Sequence, residues 1–75
     1  MIQYSVRARN FAGNMFTSNY DTLHDAEVSV LAIKEANYHL QDDYKFHGYV
    51  IRLDKVNIDG YEVTNNAEPI YNLSF

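Results

Sequence analysis

The sequence predicts an α+β fold of order β-β-α-β-β, with an antiparallel sheet carrying one helix on one face. Three patterns predict it. Residues 2–9 alternate apolar and polar, residues 23–40 place apolar side chains at helical spacing, and Asp59-Gly60 separates two alternating runs.

Each element follows from its residues. Ile2, Tyr4, Val6 and Ala8 point one way and Gln3, Ser5, Arg7 and Arg9 the other, which is a half-buried strand. Asn10 to Asn14 supply turn residues, and Met15 to Tyr20 read as the returning strand of a hairpin. The helix is expected from about Leu23 to Leu40, with Leu23, Ala26, Val30, Ile33, Ala36 and Leu40 as its core stripe. Val28, Leu31 and Tyr38 lie off that stripe. Either sheet and loops clasp the helix on two sides, or Leu31 and Tyr38 meet a partner or a second copy.

Polar "QDDYKFHG" ends the helix. A long strand segment follows from Tyr44 to Ile58, where Tyr49, Ile51 and Leu53 alternate with Val50 and Arg52. Asp59-Gly60 suits a type I′ turn, which needs positive φ at both central residues and would set Ile58 against Tyr61 and Val56 against Val63. Past Pro69, Tyr71, Leu73 and Phe75 alternate, so the sheet has four strands, or five if this tail forms an edge. The other face of the sheet is expected to stay open, with Gln3, Ser5, Arg7 and Arg9 on it.

Size and composition bound the rest. The 75 residues make one small domain, 1–75, and a single core at this length is marginal. Cysteine is absent, which excludes disulfides and thiolate zinc sites. Apolar packing must hold the fold, and 47% hydrophobic residues, with seven tyrosines and four phenylalanines, is ample for that. Met1 is followed by "IQYSVRAR", which lacks a signal-peptide layout, and no apolar run reaches membrane-spanning length. The expected location is cytoplasmic, with no membrane partner. The net charge of −4 argues against a general nucleic-acid binder, and Arg7 with Arg9 on one strand face makes a weak patch.

The chemical candidates each have a structural explanation. "YDTLHDAE" packs acids around His24, but Thr22 and Asp25 fit the spacing of a capping box, and Asp21 is an alternative cap. Asp25 and Glu27 suit the helix dipole, and the next histidine on the helix, His39, lies some four turns on. Residues 55–66 mimic a calcium loop at Asn57, Asp59 and Gly60. The first position, however, holds Lys55 and the twelfth Asn66, where an acid and a bidentate glutamate are required. No serine lies in a nucleophile elbow, and the three glycines are isolated, so no phosphate loop can be built. The sequence therefore points to no enzyme, no metal and no cofactor.

The remaining acids, Asp42, Asp43, Asp54, Asp59, Glu62 and Glu68, gather in the C-terminal half beside Tyr44, Tyr49, Tyr61 and Tyr71. They are either a solvated face or an acidic surface that docks on a basic groove, with tyrosines as anchors. The partner-binding candidates are Asp42, Asp43, Tyr44, Tyr49, Asp54, Asp59, Tyr61 and Glu62, with Leu31 and Tyr38 on the helix.

In general layout this short, cysteine-free, acidic, tyrosine-rich chain resembles small phage-encoded inhibitors of host machinery. That class includes anti-CRISPR proteins and phage inhibitors of bacterial RNA polymerase. The resemblance lies in layout and carries no residue across. It implies a non-catalytic protein, in a host cell's cytoplasm, that blocks a nucleic-acid-processing host complex by binding, and the net charge adds the expectation of no direct contact with nucleic acid. One competing expectation is a self-assembling module that pairs two copies; another, ranked last on net charge, is a nucleic-acid binder using Arg7, Arg9 and aromatic stacking from the sheet.

Overall fold

The central strand of the sheet is longer than its neighbour, and that mismatch sets the shape of the molecule. The computed structural model describes all 75 residues. In chain order these form β1 (Ile2–Arg9), β2 (Met15–Tyr20), α1 (Leu23–Asn37), a 3-10 turn (Asp42–Tyr44), β3 (His47–Ile58), β4 (Tyr61–Ile70) and a second 3-10 turn (Tyr71–Leu73). The four strands form one antiparallel sheet, as the sequence predicts, in the order β2-β1-β3-β4.

Strand register separates the two faces. Val6 pairs with Val50 and with Ser18, and Tyr4 pairs with Tyr20. These side chains look toward α1, where Ala26 and Val30 close a small core with Val6 and Val50. Tyr4, Tyr20, Ile33, Ile70, Leu73 and Phe75 pack around it. Tyr20 also donates its hydroxyl to Ser29 Oγ at 3.0 Å, tying β2 to the helix. The opposite face holds Gln3, Ser5, Arg7 and Arg9; no helix or strand lies over it and Arg7 and Arg9 are exposed, but Ser5, expected to stay open, is fully buried. Ile51 and Leu53 lie on this face too, shielded by cross-strand neighbours such as Ser5, Gln3, Pro69 and Ala67.

The hairpin turn forms as the sequence requires. Asp59 has φ 51° and Gly60 φ 84°, positive at both central positions. Ile58 opposes Tyr61 and Val56 opposes Val63. One register shift falls between Asp54 and Lys55, where Asn65 is the extra residue on β4.

Three boundaries differ from the sequence reading. The helix ends at Asn37 instead of Leu40, because the Asn37 side chain turns away to bond Phe46. β3 starts at His47 instead of Tyr44, since Asp42–Tyr44 closes a 3-10 turn in which Lys45 N–H bonds the Asp42 and Gln41 carbonyls. The tail is no separate edge strand. β4 itself runs through Pro69 to Ile70, the chain turns, and Phe75 exchanges two backbone bonds with Gly48 at 2.9 and 3.0 Å.

Those bonds explain the proline. Gly48 uses both its backbone groups toward the β4 side, so by alternation Val50, Arg52 and Asp54 do the same. Pro69, opposite Ile51, then turns its nitrogen to the free edge, where no ladder bond is lost. No helix is long and apolar enough to cross a membrane.

Candidate functional site

The pairing of β1 with β3 runs out at Met1, whose carbonyl accepts from Lys55 N–H at 2.7 Å. Beyond it β3 and β4 continue alone as a two-stranded arm. Its turn lies about 13 Å past the end of β1, at some 3.4 Å per residue. The whole molecule measures 46 × 24 × 17 Å, and its radius of gyration of 13.8 Å exceeds the roughly 11 Å of a compact 75-residue chain.

The arm has two unlike faces. Val56, Ile58, Tyr61 and Val63 share one, and Ile58, Tyr61 and Val63 are exposed. Lys55, Asn57, Glu62 and Thr64 share the other, where Lys55 Nζ and Glu62 Oε1 meet at 3.2 Å. Neither α1 nor the C-terminal tail reaches the apolar side, because the helix lies over β1 and β2 and the tail folds back near Gly48.

The opening cluster of acids with His24 is a helix start. Thr22 Oγ1 accepts from Asp25 N–H at 3.2 Å, the first half of a capping box. Asp21 instead accepts from Gln3 Nε2 at 3.2 Å. No group of three His, Asp or Glu side chains converges there or elsewhere.

The acid and tyrosine candidates do not form one surface. Asp42, Asp43 and Tyr44 lie in the 3-10 turn at the His47 end of β3, beside the β1–β2 loop. Ala12 N–H bonds the Asp43 carbonyl at 3.0 Å and Asn10 Nδ2 the Tyr44 carbonyl at 3.3 Å. Asp59, Tyr61 and Glu62 lie at the other end, on the arm. Asp54 marks the arm's base on the helix side, and Tyr49 stands on the open sheet face opposite Arg7.

On the helix, Leu31 and Tyr38 point to solvent, 63% and 84% exposed, with Val28 near them at 51%. Sheet and loops therefore clasp neither residue. The true core stripe is narrower than its spacing suggests, with only Ala26 and Val30 fully buried and Ile33 partly so.

Two features escaped sequence reasoning. One is the length of the arm, which depends on where β1 stops opposite β3. The other is a shallow groove of about 640 Å³ on the open face, lined by Arg7, Arg9, Met15, Thr17, His47 and Tyr49 among others. The alternation of Arg7 and Arg9 signalled their common face but not their neighbours. Comparison with protein-family models, with curated proteins and with solved structures finds no match.

Proposed function

We propose that this chain is a non-catalytic protein-binding module, an inhibitor or modulator that works by occupying a surface of a partner protein. The observation that supports this most is the arm. A two-stranded ribbon is marginal in water by itself, yet this one projects past the sheet with one face of Val56, Ile58, Tyr61 and Val63. An apolar ribbon face with a tyrosine beside the turn and Asp59 at the tip has the makeup of an anchor with a charged edge.

The phage-type, anti-defence role belongs to the same proposal and draws on layout alone. In it, the tip acid Asp59 steers the arm toward a basic groove of a nucleic-acid-processing complex. The test is a quantitative pull-down from bacterial lysate, with wild type and Ile58→Ser/Tyr61→Ser as baits. Wild type should enrich one complex, 0.5 M salt should weaken it, and the double variant should lose it. Equal recovery by both baits would sink the reading.

A second reading, self-association, is favoured by one specific quantity. The accessible surface is 5376 Å², against about 4,700 Å² for a compact monomer of this mass. The excess approaches the roughly 800 Å² that each partner buries in a standard interface. Sedimentation velocity over a micromolar range separates the two, since a strict monomer removes this second reading and leaves the first.

A further inference from the structure

The net charge of −4 is an average over two unlike sides. Asp25, Glu27 and Glu35 lie on α1, Asp54 and Glu68 on the helix-facing side of the sheet, Asp42 and Asp43 in the turn, and Asp59 at the arm tip, while Asp21 accepts from Gln3 Nε2 at the far end of the open face from Arg9. Of the sheet residues on the open face, the charged ones are Arg7, Arg9, Lys55 and Glu62, and the last two pair with each other. Arg7 and Arg9 have no carboxylate within ion-pair distance. Arg7 makes only a long bond, Nε to Ser5 Oγ at 3.4 Å. Of the three basic side chains without an ion pair, Arg7, Arg9 and Lys34, the two arginines thus stand side by side on the sheet face opposite the helix.

Register gives them neighbours of a definite kind. Arg7 lies between Thr17 on β2 and Tyr49 on β3, and Arg9 lies between Met15 and His47. Each cross-strand row therefore has a guanidinium at its centre and a ring on the β3 side. The two rows are about 7 Å apart, the spacing of same-face residues along a strand. Tyr49 is 43% exposed, and the His47 ring is backed by Phe11 at 6.0 Å in a tilted contact. Gly48 makes this possible. A β-carbon there would collide with the Arg7 carbonyl oxygen, so only glycine lets β3 come this close to β1 between the two rows.

We propose that this groove binds single-stranded nucleic acid. Arg7 and Arg9 take successive phosphates, and Tyr49 and His47 offer ring faces on which two bases stack. An acidic peptide could satisfy the arginines but would leave the paired rings without a function. The open, shallow shape admits an extended strand. The site is distinct from the arm, so it stands or falls separately from the protein-binding reading.

The test is fluorescence anisotropy with labelled twelve-nucleotide oligo-dT and oligo-U and, as the competing ligand, a labelled poly-glutamate peptide of equal length. The full chain is titrated from low salt upward. Oligonucleotide should bind at low salt and the peptide should not. Arg7→Gln/Arg9→Gln should weaken binding more than tenfold and lower the log–log salt slope by about 1.4, at some 0.7 per phosphate contact on a single strand. Tyr49→Leu should cost about tenfold through lost stacking. Lys34→Gln on the helix and Ile58→Ser/Tyr61→Ser on the arm should change nothing. If the arginine variant does not fold, the Tyr49→Leu loss and the wild-type slope decide the matter. No binding at low salt, an unchanged slope in a folded arginine variant, or peptide binding as tight as oligonucleotide would each overturn the proposal.

Discussion

Asn37 and Phe46 exchange two hydrogen bonds of 2.9 Å, the Asn37 amide donating to the Phe46 carbonyl and its oxygen accepting from the Phe46 N–H. This clamp ends α1 and fixes where the chain enters β3, hence where His47 and Tyr49 fall on the sheet. Asn37→Ala leaves both backbone groups of a half-buried residue without their partner. The expected cost is about 2 kcal/mol. For a domain of this size that is a drop in Tm of roughly 8–16 °C, read by thermal unfolding.

The core is so small that one truncation should be severe. Val50 is fully buried against Val6, Ala26 and Val30. Val50→Ala removes two methyl groups and leaves a void, costing about 2–3 kcal/mol. A 75-residue domain holds only roughly 4–11 kcal/mol in all. A urea titration should show the midpoint falling by roughly a fifth or more.

The helix cap is a milder case. Thr22→Ala loses the bond to Asp25 N–H and should cost about 1 kcal/mol, with no change in the sheet. Chemical denaturation measures the loss, and Thr22→Asn should restore most of it.

Leu31 gives the opposite expectation. At 63% exposure it supports no packing, so Leu31→Glu should stay folded with a midpoint within about 0.5 kcal/mol of wild type. If copies pair through the helix, the same variant should sediment as a monomer. A melted circular dichroism spectrum would put Leu31 in the core and contradict the exposed placement.

The arm should open before the rest of the fold. Its outer ladder is flanked by no third strand, so the amides of Val56, Ile58, Tyr61 and Val63 should exchange with deuterium far faster than those of Val6 and Val50. Gly60→Ala forces a side chain onto φ 84° and should speed exchange in the arm further, leaving the global midpoint nearly unchanged. Equal protection in arm and core would mean the arm is tied down by something else.

Much of this architecture could be read from local patterns. The alternation of residues 2–9, the Thr22 cap and the Asp59-Gly60 turn state their conformations in the identity and spacing of a few residues. So the four strands, the helix and the pairings Val56 with Val63 and Ile58 with Tyr61 follow from sequence. The helix end and the start of β3 were misplaced by three residues each, because a contact between Asn37 and Phe46, nine residues apart, decides both.

The candidate surfaces were less legible. Acids and tyrosines close together in sequence read as one surface, yet a long strand carries Tyr44 and Tyr61 to its opposite ends. Leu31 and Tyr38 read equally well as core or surface, since helical spacing says which residues share a face but not how wide a layer covers it. Local patterns carry element types, turn chemistry, and the alternation that sorts each strand into two faces. The tertiary structure alone decided which strands lie side by side, how far β3 outruns β1, and that two arginines share rows with two rings. These are distances between residues remote along the chain, set by strand order and register, and no local pattern encodes them.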